Sequence, residues 1–118
     1  MKKLQKSDKL KTRTEYRDTL GLEEDRRKIL AWNLRIMRRI FGLTQDQVAQ
    51  YLHVIRSTYS YYEQGKTLPS IFTLQSIAAF YGITVDQLMH QFSSMDRIVE
   101  LLDNKDIPAY QLMRDMLE

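Results

Sequence analysis

Residues 44–65, TQDQVAQYLHVIRSTYSYYEQG, decide how this chain folds. Thr44 and Gln47 stand three positions apart, so the Thr44 hydroxyl can accept from the Gln47 amide while the Gln47 side chain reaches back. That pairing starts a helix on which Val48, Ala49 and Leu52 share one face. Ala49 is small and lets a second helix cross close against it. A turn at His53 and Val54 follows, then a second helix with Tyr59 and Tyr62 inward and Arg56, Ser57, Ser60 and Tyr61 outside. Gly65 ends that helix, because glycine takes the left-handed conformation past a helix end without a Cβ penalty. The spacing predicts two short, roughly perpendicular helices with a polar outer face on the second.

Upstream, Glu23, Glu24 and Asp25 open a long helix that runs to about Phe41, with Arg35, Arg38 and Arg39 near its end. Both placements suit the helix dipole. Leu30, Leu34, Met37 and Phe41 form the stripe expected to meet the core. A second line, Ile29, Trp32, Ile36 and Ile40, needs cover from a terminal segment or another subunit. Downstream, residues 66–70, KTLPS, read as a loop with Ser70 as the next N-cap. Ile71, Leu74, Ile77, Ala78 and Tyr81 are the expected core positions of the helix that follows, and Gly82 ends it. Thr84 and Gln87 repeat the capping pair, with Val85 and Leu88 pointing inward.

Residues 34–88 resemble the lambda-repressor/Cro type of helix-turn-helix domain, the XRE-like regulators. The resemblance rests on Leu34, Met37, Arg38, GLTQ at 42–45, Ala49, Val54, Tyr62, Glu63, Gly65, Pro69, Leu74, Ile77, Ala78, Gly82, Ile83 and Leu88. It implies an all-α, five-helix DNA-binding domain, usually a dimer on a pseudo-palindromic operator. His53 stands where the family favours glycine, although histidine tolerates positive φ better than most residues. Ile55 replaces the usual Ser or Thr N-cap, a loss on the order of 1 kcal/mol. Phe72 replaces a commonly polar residue and marks a covered or shared surface.

Position by position, the resemblance implies that Arg56, Ser57 and Tyr61 read bases. Arg56 can donate twice to guanine O6 and N7, Ser57 can bond either groove edge, and Tyr61 can meet a thymine methyl or a phosphate. Gln45, Thr58, Lys66 and Thr67 are the implied phosphate contacts. Arg38 and Glu63 match positions that pair between the first helix and the end of the recognition helix.

The 118 residues suit one domain with extensions, which divides into a basic arm at 1–21, the helix-turn-helix domain at 22–92 and a C-terminal helical hairpin at 93–118. Residues 1–28 carry ten Lys/Arg and six Asp/Glu, whereas residues 92–118 carry three and six. A basic front and acidic tail fit nucleic-acid contact at one end only. Residues 1–13 bury too little to offset their ordering entropy and read as a polybasic or solubilising arm, followed by a short helix at Glu15–Leu20 stopped by Gly21. In the hairpin, Met95, Ile98, Leu101 and Leu102 make one apolar face. Asp103–Asp106 is turn chemistry, and Tyr110, Met113 and Leu117, flanked by Leu112 and Met116, make the other. Such a hairpin must pack on its own domain, a twin or a protein partner.

There is no cysteine, and His53 and His90 lack the spacing of a zinc pair, so no metal and no cofactor are expected. No phosphate loop, nucleophile elbow or carboxylate pair appears, which argues against an enzyme. No apolar run approaches membrane-spanning length and the N-terminus lacks an apolar signal core, so a cytoplasmic protein is expected. The expected function is a sequence-specific DNA-binding transcriptional regulator, a dimeric repressor on double-stranded DNA. The alternatives are an antitoxin that represses its own operon through a toxin-binding tail, and a protein–protein adaptor on the same fold.

Overall fold

A computed structural model describes residues 24–117, and the helices in it follow from local chemistry before packing joins them. The first, α1, spans 24–40 of the described residues. It is followed by α2 (Gln45–Leu52), α3 (Arg56–Glu63), α4 (Ile71–Tyr81), α5 (Val85–Leu88), α6 (Met95–Leu101) and α7 (Pro108–Leu117). No strand occurs among the described residues. The all-α, lambda-repressor-like reading holds. The expected arm at 1–21, its short helix at Glu15–Leu20 and the opening Glu23 lie outside the described residues.

Thr44 and Thr84 both close complete capping boxes, with Gln47 and Gln87, and Ser70 caps α4 through the Thr73 amide. Between α2 and α3, His53 occupies the left-handed region at φ 58°. Its amide reaches the carbonyls that end α2, so histidine does the work of the expected glycine. At the far end of α3, Gly65 lies at φ 71°, and Lys66 and Gly65 donate back to the Tyr61 and Tyr62 carbonyls. This is the Schellman arrangement.

Leu30, Leu34, Met37 and Phe41 of the first stripe are buried with Val48, Ala49, Leu52, Tyr59, Tyr62, Ile77, Ala78, Tyr81 and Leu88. Two findings depart from the spacing. Ile71 is 54% exposed, because the first residue of α4 lies beyond the edge of the core. Phe80, outside the expected positions though three residues beyond Ile77, is fully buried. Helix α4 is apolar on nearly every side, so periodicity cannot choose its inner face. Both sides are in use: α2 packs on it from one direction and α7 from another.

The hairpin explains the second side. Ile98, Leu102, Ile107 and Ala109 join the buried cluster of the rest of the chain, so α6 and α7 fold back on their own domain. Gly82 sits at φ 68°, and a Cβ there would lie 2.3 Å from Cγ2 of Ile107. Glycine therefore serves both the turn and the close approach. Further along α7, Met116 Sδ accepts from Gln47 Nε2 at 2.7 Å, which ties the hairpin to α2. Leu117, read as part of the inward face, is 79% exposed past this contact.

The second stripe of α1 is covered unevenly. Ile36 and Ile40 pack against the core, while Trp32 is 54% exposed with the Arg35 guanidinium 5.8 Å from its ring centre. Asn33, buried beside it, donates at 2.8 Å to the carbonyls of Leu88 and His90 and thereby fixes α1 to the end of α5. No helix among the described residues is long and apolar enough to cross a membrane.

Candidate nucleic-acid interface

The second helix of the turn motif, α3, has two unlike sides. Tyr59, Tyr62 and Glu63 are buried. Arg56, Ser57 and Tyr61 are exposed, Thr58 and Ser60 half-buried. The outward side chains therefore offer a guanidinium, a hydroxyl and a phenol from one short helix. Lys66 and Thr67 are exposed just past its end, and the Lys66 ammonium stands 5.2 Å from the centre of the Tyr61 ring. That contact links a cation suited to phosphate with an aromatic face suited to a base or methyl group.

The N-terminus of α3 is open. Ile55 occupies the N-cap position in extended conformation and makes no side-chain cap. The first amides of a helix find no acceptor within it, so they and the dipole favour an anion there.

The opposite end is held from several directions. Arg38 of α1 places Nε 2.6 Å from Glu63 Oε2 and Nη2 2.9 Å from Oε1, a two-point contact. Its remaining nitrogen, Nη1, donates to the Leu43 carbonyl at 2.9 Å, which anchors the chain entering α2. Arg35 donates to the Glu63 backbone carbonyl, satisfying a group left open at the helix end. Burial pushes the Glu63 carboxyl up. The Arg38 guanidinium, with Tyr59 and Gln45 close by, outweighs it and holds the carboxyl below the ordinary carboxylate range. Among the described residues the Tyr59 hydroxyl lies near the Glu63 carboxylate without a well-formed hydrogen bond, and burial raises its phenol far above the ordinary range.

Gln45 is placed differently from the expectation of an outward phosphate contact. Its side-chain amide donates to Glu63 Oε1 at 3.1 Å and is half-buried. A carboxylate already drawn inward by Arg38 is a stronger acceptor than water, so the Gln45 side chain turns to it. Its position at the start of α2 still presents a backbone amide at a helix N-terminus. Arg35 is the residue that spacing alone does not find, since its partner is a backbone carbonyl with no sequence signature.

Among the described residues no group of three or more His, Cys, Asp or Glu side chains is placed to hold a metal ion. The arrangement is instead a rigidly mounted polar helix with a free N-terminus.

The helix-turn-helix family matches residues 34–88. The chain is 38% identical over 56 residues to the HTH-type transcriptional activator BcrR of Enterococcus faecalis, covering 48% of this chain and 28% of that protein. It is 28% identical over 93 residues to the cryptic phage CTXphi transcriptional repressor RstR of Vibrio cholerae, covering 72% of this chain and 81% of that one. It is 40% identical over 60 residues to the HTH-type transcriptional regulator DdrOP3 of Deinococcus deserti, covering 51% of this chain and 46% of the relative. The chain thus spans less than half the length of two of these relatives and most of the third. No solved structure matches it.

Proposed function

We propose, from the match of residues 34–88 to the helix-turn-helix family and their resemblance to its lambda-repressor/Cro type, that the protein is a sequence-specific DNA-binding transcriptional regulator, a dimeric repressor acting on a pseudo-palindromic operator in the cytoplasm. One observation carries the reading. Helix α3 spends one side on the core and on the Arg38–Glu63 pair, and leaves Arg56, Ser57 and Tyr61 exposed on the other. A helix fixed so firmly yet so polar outside is suited to lie in the major groove, with its N-terminal residues on base edges.

In this reading Arg56 donates to a guanine, Ser57 and Tyr61 complete the base contacts, and Thr58, Lys66, Thr67 and the Gln45 backbone amide hold phosphates. Gln45 also positions: through Glu63 it ties the start of α2 to the end of α3. RstR, a repressor by name, is similar over a stretch longer than the helix-turn-helix segment, which favours repression over activation. Because the hairpin buries its main apolar residues in its own domain, the dimer contact falls to surfaces still open, such as Trp32 or Phe72.

The test is selection of bound sites from random duplex DNA, followed by titration at several salt concentrations. The expected result is a motif with two half-sites about 34 Å apart, or a multiple of that spacing. Affinity should fall with salt at a log–log slope of about −0.9 per phosphate contact. No enriched motif, or a flat salt response, would refute the proposal and favour an adaptor that binds protein.

A further inference from the structure

Neither local structure nor core packing accounts for Ile55. It is the N-cap of α3, a position that rewards Ser, Thr, Asp or Asn, and it makes no cap. It is 69% exposed and contributes nothing to the buried cluster, unlike Val54 before it, which packs against that cluster. Its extended backbone, φ −74° and ψ 152°, carries the side chain out just ahead of the first turn of α3. Arg56 and Ser57 are its exposed neighbours in the chain. The result is one branched apolar side chain on an otherwise polar face, beside the guanidinium suited to a guanine.

A water-exposed isoleucine gains by meeting an apolar group, and the major groove offers one: the C5 methyl of thymine. We propose that Ile55 is a specificity-determining residue that packs against a thymine methyl next to the base pair read by Arg56. This rests on the DNA-binding reading above and deepens it, adding an apolar contact to the hydrogen-bonding ones. A nonpolar contact of this kind discriminates thymine from cytosine and from uracil, which Arg56, Ser57 and Tyr61 hydrogen bonds to neighbouring positions do not. The same residue explains the absent cap, since a Ser or Thr hydroxyl turned onto the α3 amides would present less apolar surface at this point.

The experiment uses the full chain and a duplex selected by it. Each thymine of a half-site is replaced in turn by deoxyuridine, which removes the methyl and leaves every hydrogen-bonding group in place. With the unaltered protein, one position per half-site should weaken binding about fourfold, the worth of one buried methyl group. In Ile55→Ala the same replacement should have no effect. Ile55→Ser, which supplies the missing cap, should be at least as stable as the unaltered protein and equally indifferent to the methyl, separating folding from reading. Loss of the methyl costing the same in all three proteins, or costing nothing in any, overturns the assignment of Ile55 while leaving DNA binding intact. Failure to select any duplex overturns it together with the reading on which it rests.

Discussion

Helices α2 and α3 are each eight residues long and sit side by side, yet they are held in opposite ways. Helix α2 brings its own fastenings: the Thr44–Gln47 capping box at one end and the His53 amide at the other. At its N-terminus α3 has none. Its position is set at the other end, where Arg38, Arg35 and Gln45 converge on Glu63 from outside the helix. The difference lies in where the fastening comes from. Helix α2 carries its cap within its own sequence, whereas α3 keeps an uncapped first turn and is held at its C-terminal residue by side chains from α1 and α2.

The largest effect is expected where the borrowed fastening is cut. Glu63→Gln leaves Arg38 largely buried without its charge partner and should lower stability by about 3 kcal/mol, measured by denaturant unfolding. The same variant carries a pH signature. The folded Glu63 carboxyl is held below its unfolded value near about 4.3, so its contribution is complete above that pH and lost as pH falls through the folded value. Stability of the unaltered protein should therefore fall more steeply below about pH 4 than that of Glu63→Gln. Parallel curves would mean that the pair does not anchor α3.

Next comes the face that the anchoring serves. Arg56→Ala should cost about 1–3 kcal/mol of binding at one base pair and relax its specificity, read from affinities for single-base variants of a selected site. Its stability should change by less than about 0.5 kcal/mol, as for an exposed residue off the core. An equal loss on every sequence would place Arg56 among the phosphate contacts.

Cutting the built-in fastening of α2 should cost less. Thr44→Ala removes the cap and is expected to lower stability by about 1 kcal/mol. DNA affinity should hold at temperatures where the protein remains folded. Should Thr44→Ala prove as damaging as Glu63→Gln, the contrast between the two helices would collapse.

Gln45→Ala should lower stability by about 1 kcal/mol or less, since Arg38 still satisfies Glu63. The measurement that sharpens the comparison is binding. As a positioning residue Gln45 should weaken all sites to a similar degree, with the sequence preference unchanged. A shifted preference would make it a base reader.

What the chain determined by itself is whatever depends on neighbours a few residues apart. The capping pairs Thr44–Gln47 and Thr84–Gln87, the stops at Gly65 and Gly82, and the inward Leu34, Val48, Ala49, Leu52 and Tyr59 were all legible, because helix geometry fixes those relations within one or two turns. The exposed position of Arg56, Ser57 and Tyr61 follows from the same periodicity once Tyr59 and Tyr62 are placed inside. Tertiary structure decided what depends on the third dimension. Gln45 turned to Glu63 because an inward carboxylate lay in reach, and Arg35 found a carbonyl that no spacing announces. Asn33 is buried on α1 because two carbonyls 55 and 57 residues away meet its amide. Phe80 went inside because Tyr51 of α2 meets it, the two ring centres 4.5 Å apart, while Ile71 stayed out at the uncovered start of α4. Burial of a residue on a helix with apolar side chains on several sides is set by what packs against it, and that partner is remote in sequence.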